Sequence, residues 1–148
     1  MNEDSIFREI VEFFARSELS PRMNEEKNEI YVNAPLGKIY EKADIFVRFS
    51  KEYYTVEAYI KTAGRNEGKV LRLLNLINLS MDNCTVALDD DRIVCRCTQY
   101  IEGATASLIR QSIYQPMYTL NLFSPAFKAV SENGKDHAEE FEKVMAQR

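Results

Sequence analysis

Three cysteines and three consecutive aspartates crowd into one stretch, CTVALDDDRIVCRCT, running from Cys84 to Thr98. These are the residue types that hold metal ions or exchange electrons. A calcium-binding helix–loop–helix spaces its oxygen ligands at alternate positions, turns on a central glycine and closes with a glutamate. Asp89, Asp90 and Asp91 are consecutive instead, and no glycine follows them. Structural zinc takes four nitrogen or sulfur ligands, typically at CxxC or HxxxH spacing. Cys84, Cys95 and Cys97 supply three thiols, and the sole histidine, His137, lies far along the chain. No metal is expected. The cysteines read as small apolar core residues, a common fate of free cysteine.

A hairpin accounts for the whole stretch. With Asp90-Asp91 as its central pair, Leu88 faces Ile93, Val86 faces Cys95, and Cys84 faces Cys97. All six then share one side of the two strands, and the other side is mostly polar. A slip by one residue would mix the two sets, so the register is well specified. A Cys84–Cys97 disulfide is geometrically open to such neighbours. Three cysteines in a chain whose acidic, amphipathic start, MNEDSIFREIVEFF, is no export signal point instead to reduced thiols and a cytoplasmic protein.

The remaining sequence is poor in catalytic constellations. There is no GxSxG nucleophile turn, and one histidine assigns no triad. Gly64 and Gly68 lack the Lys-Ser/Thr that completes a phosphate loop. No enzyme and no cofactor are expected. Acidic residues (23) outnumber basic ones (19), giving a net charge of −4, and no basic block appears. The phosphate-neutralising surface that drives nucleic-acid binding is therefore not expected. No apolar run reaches the roughly 18 residues that span a bilayer, so no membrane association is expected either. A chain of 148 residues, 45% hydrophobic and 28% charged, suits a folded domain.

The elements that must carry these residues follow from periodicity. Residues 4–18 form a helix with Ile6, Phe7, Ile10, Val11, Phe13 and Phe14 on one wide face, capped by Asp4 or Ser5. Strands follow at Asn28–Asn33, Ala43–Ser50 and Tyr53–Thr62; strict alternation in the last two predicts one wet and one buried face. A second helix spans Asn66–Ser80, with Asn75 and Asn78 interrupting its leucines. These two either meet water and local groups or contact a partner chain. Past the hairpin, Thr105–Asn133 is helical, with kinks or breaks expected at Pro116 and Pro125. A short charged helix ends the chain at His137–Gln147. Residues 1–135 are expected to form a single domain, with residues 136–148 packed on it or extending from it.

The segment IRQSIYQPMYTLNLFSPAFKAV carries two stripes. Ile109, Ile113, Met117, Leu120, Phe123, Phe127 and Val130 trace one; Tyr114, Tyr118 and Leu122 trace a second. Either the prolines wrap both onto the core, or the second is a partner surface, since tyrosine and methionine are favoured at interfaces. The partner-binding candidates are Tyr114, Met117, Tyr118 and Leu122.

With helix, three strands, helix, hairpin and helix in order, the chain resembles the YbjN-like family, described as sensory transduction regulators, and the wider type III secretion chaperone-like fold. The likeness rests on VLRLLNLINLS (Val70 to Ser80), the hairpin CTVALDDDRIVCRC, and the helix carrying Leu108, Ile109 and Ile113. It implies an α+β fold: an antiparallel sheet of about five strands, a three-strand meander plus the hairpin, covered by helices in the order α-βββ-α-ββ-α. It also implies a domain, often a homodimer, that binds protein segments and turns over no substrate. The expectation is therefore a non-enzymatic, chaperone-like or regulatory protein-binding domain. The alternative is a small-ligand binder or an enzyme with its site between sheet and helices.

Overall fold

A computed structural model describes residues 1–26 and 28–148. The chain opens with α1 (Glu3–Arg16) and a short strand β1 (Arg22–Asn24). A meander follows: β2 (Glu29–Pro35), β3 (Lys42–Phe49) and β4 (Tyr53–Lys61). Next come α2 (Glu67–Ser80), the hairpin β5 (Thr85–Asp89) and β6 (Arg92–Tyr100), then α3 (Ala106–Asn133) and α4 (His137–Ala146). The strands form one sheet in the order β1-β2-β3-β4-β6-β5, every neighbouring pair antiparallel.

Alternation decides which face of the sheet is covered. Ile45, Val47 and Phe49 of β3 and Tyr54, Val56, Ala58 and Ile60 of β4 are buried. They meet Ile6, Ile10 and Phe14 from α1, Leu73 and Ile77 from α2, and Ile109, Phe123 and Phe127 from α3 in one continuous core. Each fully buried large side chain contributes about 1.5–3 kcal/mol relative to exposure. The hairpin adopts the predicted register, Leu88 opposite Ile93 and Val86 opposite Cys95, with Asp90 in the left-handed region at φ 55°.

Four details differ from the sequence expectation. The sheet has six strands rather than about five; β1 is three exposed residues with no apolar alternation to announce it. The cap of α1 is Asn2, not Asp4 or Ser5. Asn2 Oδ1 accepts the Ser5 amide at 2.9 Å and Ser5 Oγ accepts the Asn2 amide at 2.9 Å, a reciprocal box. Strand β2 runs on to Pro35. Finally, of the kinks or breaks expected at Pro116 and Pro125, the breaks do not occur: α3 is one continuous helix of 28 residues through both prolines. Each proline removes the amide that would meet the carbonyl four residues earlier. At Pro125 that carbonyl belongs to Asn121, and both residues lie on the exposed side. Before Pro116, the Ser112 hydroxyl donates to the Ile109 carbonyl at 2.6 Å and pairs with Tyr54 Oη at 2.9 Å, anchoring that turn to the sheet. Burial of both flanks outweighs the local penalty: Ile109, Leu120, Phe123, Phe127 and Val130 are all fully buried.

The final helix α4 packs on α3 through Phe141, whose ring stacks on Phe123 with centroids 6.0 Å apart. Among the described residues, no helix is long and apolar enough to cross a membrane.

Candidate functional site

One apolar opening follows from where the elements end. Strand β1 covers β2 only from Glu29 to Tyr31. Beyond it, α1 has already stopped at Arg16, so nothing from these elements lies over the far half of β2. A groove of about 440 Å³ opens there. One wall is the end of α1 with Phe13 and Phe14; the opposite wall is α3 with Ile113, Tyr114, Met117 and Tyr118. Ala34, Pro35 and Leu36 form its floor and lip, and Ser17, Leu19, Ile45 and Asn121 complete it. The Phe13 and Tyr114 rings meet edge to face across it, centroids 5.5 Å apart.

Three of the four sequence candidates therefore line one groove. Tyr114 and Tyr118 remain 59% and 51% exposed, and Met117 is half-buried between them. Leu122 lies outside the groove lining and packs against the core. Phe13, Leu19 and Leu36 complete the apolar surface and had no separate signal in the sequence. Phe13 reads only as part of a helix face, and the others sit in connections.

The backbone at the groove's edge is also informative. The Leu36 amide bonds the Glu41 carbonyl at 2.8 Å, and the Phe49 amide bonds the Asn28 carbonyl at 3.0 Å. Antiparallel pairing alternates, so the even-numbered residues of β2 bond to β3 and the odd-numbered ones face away. Glu29 and Tyr31 spend those groups on β1. The Asn33 amide and carbonyl and the Pro35 carbonyl are left on the free side, beside the groove.

The opposite edge of the sheet is closed differently. Asn78 of α2 donates Nδ2 to the Val86 carbonyl at 3.0 Å and accepts the Val86 amide on Oδ1 at 2.7 Å. Its carboxamide occupies the place of a further strand. Asn75, one turn earlier, is exposed.

The uncovered face of the sheet carries a second set of side chains. The rings of Tyr31, Phe46 and Tyr59 form a row, centroids 5.0 and 5.7 Å apart. Arg48 lies 4.7 Å above Phe46 and Arg92 4.6 Å above Tyr59. Arg48 is held by Glu29 at 3.0 Å and by Glu57. Tyr31 Oη donates to Asp44 Oδ1 at 2.6 Å, and that bond to a carboxylate holds its proton on, raising its pKa. The carpet is paired within itself, which makes it a cover for the sheet more than an open platform.

The aspartate run is a solvated turn. Asp89 pairs with Arg92 at 2.8 Å, and Asp91 lies 3.7 Å from Lys61. All three cysteines are free and buried on the helix-facing side. A hydrogen bond to Cys95 and burial push the Cys84 thiol up to about 12, and a hydrogen bond to Cys84 together with burial pushes Cys97 up as well. Among the described residues, no group of His, Cys, Asp and Glu is arranged to hold a metal ion.

No family model matches the chain. No curated protein matches it. Solved structures do. A chain of the ExsC–ExsE complex superposes with a TM-score of 0.69 at 13% identity, covering 88% of this chain and all of that one. YbjN from E. coli, a proposed transcription regulator, gives 0.50 at 15% identity over 78% of this chain and 88% of its own. The Yersinia pestis type III secretion chaperone SycH, solved with a fragment of YscM2, gives 0.48 at 15% identity over 78% and 98%. The chain thus shares its fold, an antiparallel sheet with helices on one face, with that chain of the ExsC–ExsE complex and with YbjN.

Proposed function

We propose that this protein is a non-catalytic binding domain that holds an extended segment of another protein along the free half of β2. The observation that carries this reading is the coincidence of two features at one place. Unpaired backbone groups of Asn33 and Pro35 border an apolar groove walled by Phe13, Tyr114 and Tyr118. An added strand would satisfy the backbone groups, and every second side chain would drop into the groove. A purely apolar pocket would not need the strand edge, and a bare edge would not need the aromatics. The fold similarity to a chain seen in a two-protein complex, ExsC–ExsE, supports a protein ligand. The half-exposed tyrosines suit a surface that is wet when empty and covered when filled.

A displayed library of random decapeptides, selected on the purified protein, tests this. Selected peptides should carry alternating apolar residues. Their affinity should fall at least ~10-fold in Tyr118→Glu, which places a charge on the groove wall. Methylating their backbone amides at alternate positions should abolish binding. Peptides that bind as helices, or that ignore both changes, would rule the reading out. So would a concentration-dependent dimer of the wild type that Tyr118→Glu splits, because a second copy would then be the groove's occupant.

A further inference from the structure

We propose that Cys84 and Cys97 form a reversible dithiol–disulfide couple, closed by hydrogen peroxide or a low-molecular-weight disulfide, which bolts the start of β5 to β6.

The register places them face to face. Thr85 lies opposite Arg96 and Val86 opposite Cys95, so the next pair outward is Cys84 and Cys97. The kind of pair also suits a bridge. Val86 turns its amide and carbonyl away from β6 to Asn78, so Val86–Cys95 is a pair without mutual hydrogen bonds. Continued one residue past the end of the ladder at Thr85, the register gives Cys84–Cys97 the same class. Such pairs bring Cα atoms to about 4.5 Å, inside the roughly 4.4–6.8 Å that a disulfide spans. Both side chains lie on the helix-facing side, so neither must cross the sheet.

Access separates the pair from the third thiol. Cys97 lines a crevice of about 140 Å³ between the end of β6 and the start of α3, beside Asn83, Gln111 and Gln115. Cys97 and Cys84 keep 8% and 7% of their surface exposed, whereas Cys95 has none. Cys95 also hydrogen-bonds the Cys84 thiol, but its own cross-strand partners are Val86 on β5 and Ala58 on β4, so no cysteine stands opposite it.

The chemistry balances without any further group. Cys97 sulfur attacks one oxygen of the peroxide, breaking the O–O bond and giving a sulfenic acid and water. Cys84 sulfur then attacks the oxidised sulfur and expels a second water. Two thiol protons and two electrons leave, and peroxide is reduced. With a small disulfide as oxidant, the same two protons and electrons yield two small thiols. Because the thiolate is the nucleophile and both thiols hold their protons tightly, closure is slow at neutral pH and quickens as pH rises.

The test uses the full chain under native conditions, treated in parallel with hydrogen peroxide and with oxidised glutathione. The product should be a monomer that has lost two of its three thiols and the mass of two hydrogens. Peptide mapping should join Cys84 to Cys97 and leave Cys95 free. The bridge should raise the Tm by several degrees, and a reductant should reverse it. Cys95→Ala should close in the same way, and Cys97→Ala should give no bridged monomer. A bridge that includes Cys95, a bridge between two chains, or a native monomer that keeps all three thiols would each overturn the proposal. Mapping of the wild type decides the matter even if Cys97→Ala does not fold.

Discussion

Replacing Asn78 with alanine should cost far more than replacing Asn75, although both are asparagines one turn apart on α2. Each change trades asparagine for a better helix former, a gain of about 0.5 kcal/mol. At Asn75, which is exposed, little else happens, so that variant should be neutral or slightly more stable. At Asn78 the change also deletes two hydrogen bonds, 3.0 and 2.7 Å long, to the carbonyl and amide of Val86. At about 1 kcal/mol each they amount to about 2 kcal/mol. The net loss is then about 1.5 kcal/mol, and the gap between the two variants about 2 kcal/mol. Urea denaturation of the two proteins side by side measures that gap directly, since the propensity contribution is nearly common to both. Hydrogen exchange adds a local readout: the Val86 amide should exchange faster in Asn78→Ala while that of Thr85, on the strand pair, changes little. Asn78→Asp, which keeps the acceptor and loses the donor, should fall between. A gap below ~0.5 kcal/mol would refute the reasoning and show that water replaces the carboxamide at this edge without penalty.

Other consequences are open to the same bench methods. Tyr54→Phe deletes the buried bond to Ser112 at 2.9 Å and should cost about 1–2 kcal/mol by urea denaturation; a neutral result would mean that Ser112 is content with the Ile109 carbonyl alone. Asp90→Asn keeps a residue that tolerates φ 55° and should change stability by less than ~0.5 kcal/mol; a loss above ~2 kcal/mol would mean that the turn carboxylates hold an ion. The Cys84 thiol is held above its ordinary 9.0, so the unfolded chain gives up that proton first as pH rises. Its contribution to stability is full below pH 9.0 and is lost towards about 12, and Cys84→Ala should flatten that alkaline decline in a pH series of melts. All three thiols should label slowly in the native protein and quickly in denaturant; fast native labelling of Cys95 would contradict its complete burial.

The hairpin was legible because two independent demands had one solution. A two-residue turn at Asp90-Asp91 and the sorting of Val86, Leu88, Ile93 and Cys95 to one side fix the same register. Strands β3 and β4 were legible for the same reason: a single wet face imposes strict alternation. Strand β1 was not, since three exposed residues have no face to reveal. Of the kinks or breaks expected at the two prolines, no break occurs, because the burial of Phe123 and Phe127 helps to hold one helix together. The surplus stripe on α3 pointed to Tyr114 and Tyr118, but a stripe says nothing of what stands opposite. That Phe13 comes from α1 to meet Tyr114, and that β2 lies half bare beneath them, depends on where three elements stop. Asn75 and Asn78 are the clearest case: identical in type, alike in setting, and separated only by which one reaches the neighbouring strand.

The half-covered strand has a metric consequence. At about 3.3 Å per residue, the stretch from Val32 to Pro35 is a shelf roughly 13 Å long. It is punctuated at both ends: β1 stands as a stop at Tyr31, and Pro35 offers an acceptor but no donor, so a ladder that reaches it cannot continue. Whatever lies on the shelf is measured by length and spacing before its side chains are read. In the binding mode proposed above, a ligand supplies a few residues of extended chain with the right alternation, a condition many unrelated sequences meet. The same two stops keep the edge too short to serve as a seed for stacking one molecule on the next.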